Sequence, residues 1–342
     1  MPIYNLNYID YWIDLTIPAD INFSFNRISE YDIFNLDKYI NALSIPDDQT
    51  LIMLWGFGAR IPVSDQLMVK LNTFYHNIKN PMLLFSSGNF QSSLLDFPHL
   101  QYNFFQYVSK NCFYKFNQNQ NLNINFNKNK KFMFASTKDY LSRRYILQTI
   151  ITGGFEADGY IGYKCIHTNL NSEIYNTSKL DHIAQAGKSI ESKLPILGID
   201  NSIEFIHLPR NIINDCYLSL ITDTYYISDT VYLSEKIFNA MIYRHFFIYL
   251  GPAHSLKYLQ SLGFRTFSHI IDESYDDIED PADRLYAVSH SINQFLSKPL
   301  SEIKQLYIEN LNIINHNRNL VLSTEINDTI VSAMRSAIAI KN

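Results

Sequence analysis

The stretch SDTVYLSEKIFNAMIYRHFFIYLG, residues 228–251, sets a helical pattern directly before a run that is apolar throughout. Ser234 is a favoured N-cap residue, and Ile237, Ala240 and Met241 recur at the spacing of one helix face. Phe246 to Leu250 then reads as a strand buried on both faces, closed by Gly251 and Pro252. A helix delivered into such a strand is half of a parallel β-α-β unit, so the stretch points to an α/β fold. It also concentrates chemistry. The first turn of a helix presents unpaired N–H groups and a partial positive charge, which suits an anion. Lys236 adds a mobile cation there, and Glu235 can accept hydrogen bonds from sugar hydroxyls, the combination a sugar nucleotide needs. The plainer alternative is an amphipathic helix that opens with two solvated charges.

Outward from this stretch the alternation repeats. Lys131 to Ala135 reads as a strand, and Tyr140 to Thr152 as a helix stopped by Gly153 and Gly154. Ile203 to Leu208 and Tyr217 to Thr222 are two more strand-like runs, the second followed by Asp223. Ala253 to Leu262 reads as a helix ending at Gly263, and Asp280 to Phe295 and Ser301 to Ile314 as two further helices. The region from Thr168 to Leu197 is irregular. Strand and helix in alternation predict a doubly wound parallel sheet. Upstream, Thr50 to Phe57 and Pro81 to Ser86 read as strands around a helix from Ser64 to Ile78. The loops after these strands carry Gly56, Gly58 and Gly88 without a G-x-G-x-x-G pattern, so they are candidate cleft walls or ordinary turns.

Between the two halves lies FNQNQNLNINFNKNKK, residues 116–131, which is polar, low in complexity and poor in core residues. With 342 residues two domains are the natural expectation. The predicted division is an N-terminal α/β domain over 1–115, an Asn-rich linker or loop over 116–130, and a second domain over 131–342.

Composition excludes several classes. Hydrophobic residues at 46% against 18% charged support a packed core and argue against global disorder. A net charge of -5 argues against a protein that grips many phosphates of duplex DNA. Three cysteines without a C-x-x-C pair suggest neither a disulfide framework nor a cysteine zinc site. No basic segment followed by an apolar block opens the sequence, and no apolar run is long enough to span a bilayer. The expected compartment is the cytoplasm.

Three elements of the second half would converge at one sheet edge: Arg143 and Arg144 early in one helix, Asp223 at a strand exit, and Ser234, Glu235 and Lys236 at the next helix start. Cations over a pyrophosphate and carboxylates on sugar hydroxyls are the minimum set for a nucleotide-sugar donor. Each has a plainer reading, a solvated helix charge for either arginine and an Asx turn or cap for Asp223. Taken with YLSLITDT (217–224), LSEKIF (233–238), FIYLGP (247–252), LKYLQSLGFRTF (256–267) and DESYDDIEDP (272–281), the arginine pair resembles the fucosyltransferase-like glycosyltransferases. The likeness covers roughly residues 131–295. Two departures stand out. The family usually has Glu where this chain has Asp223, and often His where Ser142 precedes the arginine, which leaves the transferred sugar open.

The resemblance implies a GT-B arrangement, two Rossmann-like domains facing each other across a cleft, with the donor on the C-terminal one. It implies inverting transfer from a nucleotide sugar to a hydroxyl of a glycan or other acceptor. Glu235 would then hold donor hydroxyls, while Lys236 and an arginine at 143 or 144 would neutralise phosphate. Inversion needs a base for the acceptor hydroxyl, and the candidates on the N-terminal side are Asp14, Glu30 and Asp96. No D-x-D triplet occurs, so no metal and no other cofactor is expected, and the acidic block 272–280 reads as a loop with helix N-terminal charges. Two other readings remain. One is transfer to a modified base in DNA, nucleic acid entering only as acceptor; the other is a non-catalytic carbohydrate- or protein-binding module on the same fold.

Overall fold

The computed structural model describes residues 23–28, 50–55, 65–86, 95–101, 125–168, 196–197, 210–224, 226–227, 231–323 and 325–341, with a few single positions besides. The fold is mixed α/β. The chain divides into two compact units, the first formed by Met1–Asn111, Ser228–Leu233 and Ser323–Asn342, the second by Cys112–Ile227 and Ser234–Leu322.

In the first unit, β1 (Phe23–Ile28), β2 (Thr50–Trp55), β3 (Met82–Ser86) and β4 (His99–Gln101) form a parallel sheet in chain order. Helix α1 (Asp65–Asn77) joins β2 to β3 and buries Met68, Leu71, Phe74 and Tyr75. Met82, Leu83 and Leu84 are buried in succession, as a strand of a parallel sheet covered on both faces requires. The strand–helix–strand reading of 50–86 thus has its counterpart here, whereas the loops carrying Gly56, Gly58 and Gly88 lie outside the described residues.

In the second unit the strands are β5 (Lys130–Asp139), β6 (Gly159–Thr168), β7 (Ile196–Leu197), β8 (Cys216–Thr222) and β9 (Phe246–Leu250). They lie in the order β7-β6-β5-β8-β9, all parallel except β7, which runs antiparallel at the edge beside β6. Every residue of β8 and of β9 is buried. Among the described residues its helices are α2 (Leu141–Thr152), α3 (Arg210–Asn214), α4 (Glu235–Ile242), α5 (Ser255–Ser261), α6 (Pro281–Leu296), α7 (Leu300–Glu309) and α8 (Leu311–Leu322). Helix α9 (Glu325–Lys341) packs on β3 and β4 of the first unit, where the Lys110 ammonium donates to the Ser323 carbonyl at 2.6 Å.

Several expectations need correction. The single helix expected over Ser301 to Ile314 breaks at Asn310, which ends α7 at φ -104, ψ 13. Its amide donates to the Leu306 carbonyl at 2.9 Å, and its oxygen lies 2.6 Å from His269 Nε2, so the side chain competes with the helical ladder. Strand β6 went unread because its glycines and lysine hide a run that only sheet pairing makes regular. The units are drawn differently from the expected division into 1–115, 116–130 and 131–342, since Ser228–Leu233 and Ser323–Asn342 fall in the first and the second begins at Cys112. The end of the Asn-rich seam is built into the second unit. Asn129 donates through its backbone N–H and its side chain to Asp215 at 3.0 and 2.8 Å, and Lys128 is buried. The strand expected over 203–208 and most of the irregular region 168–197 lie outside the described residues.

Candidate functional site

Strand order determines where a site can form in the second unit. From β5 the chain passes through α2 to β6 on one side, yet β8 lies on the other side of β5. The connections leaving β5 and β8 therefore diverge at the carboxyl ends of these two strands, the kind of switch point at which open α/β sheets form a ligand-binding crevice.

Arg143 reaches across that crevice. Its guanidinium donates to Thr224 Oγ1, just beyond β8, at 3.0 Å, and to Ser136 Oγ on β5 at 3.0 Å. The ring of Tyr140 lies 4.9 Å from the guanidinium carbon, fixing its plane. Ser136 sits at an irregularity in the β5–β6 register between Ser136 and Lys138, and its hydroxyl donates to the Lys138 carbonyl at 2.8 Å. Such bulges re-aim side chains at strand ends.

Asp223 stands beside Thr224. Its backbone N–H extends the β8–β9 pairing to the Leu250 carbonyl at 2.9 Å, so the carboxylate is held at the sheet edge. Tyr249 donates its hydroxyl to Asp223 Oδ2, and the Thr224 N–H donates to Oδ1 at 3.2 Å. Lys236 Nζ lies 3.7 Å from Oδ1, with its side chain 16% exposed against 3% for Asp223. Glu235 is half-buried in the same helical turn. Of the sequence-predicted residues, Arg143 thus meets Thr224 next to Asp223, and Lys236 faces Asp223 with Ser234 and Glu235 before it at the start of α4.

Two of the assignments look different in three dimensions. Ser234 occupies the N-cap position of α4 with extended backbone, φ -83 and ψ 171, but its hydroxyl makes no capping bond and is buried without a hydrogen-bond partner among the described residues. Arg144 points away from Arg143. Its Nε and Nη2 donate to the two oxygens of Asp139 at 2.6 and 2.5 Å, and Tyr163 donates to the same carboxylate at 2.9 Å. A buried bidentate pair of this kind ties α2 to β5 and β6 as scaffold. On the N-terminal side, Asp96 pairs with His76 at 2.9 Å on an exposed surface, and Asp14 and Glu30 lie outside the described residues.

The acidic block 272–280 serves helix starts. Asp276 accepts from the N–H groups of Leu256 and Lys257 at 2.9 and 3.0 Å, and Asp280 from those of Ala282 and Asp283 at 2.9 Å each. Burial nevertheless pushes the Asp276 carboxyl upward, against these bonds. Among the described residues no group of three or more His, Cys, Asp or Glu is arranged to hold a metal ion, and no helix is long and apolar enough to cross a membrane.

Sequence reasoning missed Thr224 and Tyr249. Thr224 was visible as the residue after Asp223 at a strand exit, but its role depends on Arg143, 81 positions away. An open depression lined by Ser268, His269, Ile271, Asp272, Lys298 and Leu306 shares no residue with the crevice and adds nothing to its chemistry. Comparison of the chain with models of known protein families and with curated protein sequences returned no match.

Proposed function

We propose that the second unit binds the diphosphate of a nucleotide sugar at the crevice between β5 and β8, and that the chain transfers the sugar to an acceptor hydroxyl with inversion. The observation that carries this reading is the bond from Arg143 to Thr224 across the point where the strand order reverses, with the Lys236–Asp223 pair beside it. A guanidinium already oriented by three groups, a partly exposed ammonium and the N-terminus of α4 supply fixed positive charge where a leaving diphosphate develops negative charge. Glu235, half-buried in the first turn of α4, would accept from a sugar hydroxyl in this reading. The GT-B arrangement and an acceptor-selecting role for the first unit belong to the same reading, which leans on the fucosyltransferase-like motifs.

A screen of nucleotide sugars for release of the nucleoside diphosphate tests it directly. Binding of nucleoside diphosphates without any turnover would leave a non-catalytic module instead. Lys236→Ala is expected to weaken nucleoside-diphosphate binding by about 1.5–3 kcal/mol, roughly one to two orders of magnitude, measured by calorimetric titration. Unchanged affinity in a folded variant removes Lys236 from the site.

A further inference from the structure

We infer that Arg284 is a positioning residue for this crevice, acting through Gly251 and Tyr249 on Asp223 and so on Lys236. The inference rests on the preceding reading for its consequence in nucleotide binding, and on geometry alone for the positioning itself.

Arg284, on α6, is 2% exposed. Its guanidinium donates to four main-chain carbonyls: Tyr226 at 2.5 Å, Gly251 at 3.1 Å, Ile278 at 2.5 Å and Glu279 at 3.1 Å. These belong to three segments, the exit of β8, the exit of β9 and the approach to α6. Both strand exits that shape the site are therefore gathered by one side chain. A planar fork with five donors can bind three segments at once, whereas an ammonium is a compact point charge without that fixed geometry.

The path from Arg284 to the site runs through Gly251. A Cβ at that position would lie 2.4 Å from Tyr249 Cε1 and 2.7 Å from Ser255 Oγ, so the Tyr249 ring occupies space that only glycine leaves open. From there the Tyr249 hydroxyl reaches Asp223 Oδ2, and the Tyr249 N–H donates to the buried Tyr275 hydroxyl at 3.3 Å. Holding the Gly251 carbonyl thus fixes where the tyrosine hydroxyl stands. Holding the Tyr226 carbonyl fixes the chain three residues past Asp223. The Asp223 carboxylate in turn faces Lys236 at 3.7 Å. Arg284 contacts neither Asp223 nor Lys236 in any of these bonds, so its effect on them is indirect.

The test uses the full chain with Arg284→Lys, which keeps charge and most of the volume but loses the fork, and with Gly251→Ala, which keeps Arg284. Each is treated with an acetylating reagent, and the rate at Lys236 is followed by mass spectrometry relative to Lys298, which pairs with Glu302 away from the crevice. The expected result is a several-fold faster reaction at Lys236 with Lys298 unmoved, a selectivity that general loosening of the fold does not produce. An unchanged Lys236 rate in both folded variants overturns the inference. If Arg284→Lys fails to fold, Arg284→Gln, which keeps a two-donor amide in place of the fork, takes its place in the same comparison. Titration with uridine and guanosine diphosphate adds the functional arm. Arg284→Lys should lower affinity about three- to tenfold, and should cost nothing further in a Lys236→Ala background. Equal losses in both backgrounds overturn the route through Lys236. A wild-type chain that binds neither nucleotide while Lys236 still reacts faster in the variants retires the nucleotide reading and leaves the positioning role standing.

Discussion

The two ends of β5 and β8 gather polar side chains in contrasting ways. At the starting end, Lys128 donates to the Cys216 carbonyl at 2.6 Å and lies 4.8 Å from the ring centre of Tyr307. Tyr160 and Asn129 close on Asp215, and His245 is held between Ser219 and the Ile213 carbonyl at 2.8 and 2.7 Å. Lys128 and His245 are buried there, turned onto main chain, a ring and a hydroxyl, while Asn129 and Tyr160 pair with Asp215 nearer the surface. At the finishing end, Arg143 spans a crevice onto hydroxyls, and Lys236 keeps 16% of its side chain in solvent beside a carboxylate 3.7 Å away. The same sheet therefore buries a lysine and a histidine at one end and leaves a lysine partly in solvent at the other. The difference follows from topology, since only at the finishing end do the connections from β5 and β8 diverge.

The largest expected effect divides the finishing end into scaffold and site. Asp139 is wholly buried and bound by Arg144 and Tyr163. Asp139→Ala removes the carboxylate that compensates a buried guanidinium, and should destabilise the fold by about 3–5 kcal/mol. Denaturant unfolding measures this. A loss below about 1 kcal/mol would return Arg144 to the candidate phosphate ligands, because a surface-type pair contributes only that much.

The starting end should announce itself in the pH dependence of stability. Burial lowers the Lys128 ammonium to about 7, so from there up to its ordinary value the folded chain binds fewer protons than the unfolded one. Stability then rises with pH. Burial raises the Cys216 thiol above its ordinary 9.0, which works the other way at higher pH, leaving pH 7 to 9 as the clean window. One proton over two pH units amounts to about 2–3 kcal/mol. His245, buried and held well below 6.5, adds a loss of stability as pH falls below 6.5. Lys128→Met should flatten the segment between pH 7 and 9 while leaving the acid limb. An unchanged slope in that variant would show that Lys128 is not the titrating group.

How much of this was legible in the sequence depends on how far apart the cooperating residues lie. The strand Tyr217 to Thr222, the helix after Ser234 and the strand Phe246 to Leu250 were readable because each carries its own period and its own stop. The stop at Gly263 was readable for the same reason, since φ of +89 there suits glycine. The two arginines were not separable. Arg143 and Arg144 are adjacent in the chain, and only the placement of Asp139 and Thr224 sends one inward and the other across the crevice. The bonds that Arg284 makes were invisible because they go to main-chain carbonyls, which every residue type supplies. Ser234 shows the opposite failure. Its residue type predicts a cap, yet the helix starts without the side-chain bond.

The smallest expected effect is none at all, and it sharpens the contrast between the two ends. If the finishing end is the site of a leaving diphosphate, its positive charge comes from Arg143, Lys236 and the N-terminus of α4. Transferases that bridge the diphosphate with a divalent ion need clustered carboxylates for it. In this crevice the Asp223 carboxylate is already engaged by Tyr249 and Thr224 and faces an ammonium. The sequence has no D-x-D triplet, and the carboxylates of Asp276 and Asp280 are bound to helix N–H groups. Nucleotide-sugar turnover should therefore be the same before and after exhaustive chelation. The measurement is initial rate with chelator, then with Mg²⁺ or Mn²⁺ restored in excess. Complete loss on chelation with recovery on either ion would mean that arginine, lysine and helix end do not suffice to hold the leaving group, and would move the diphosphate to a different set of carboxylates.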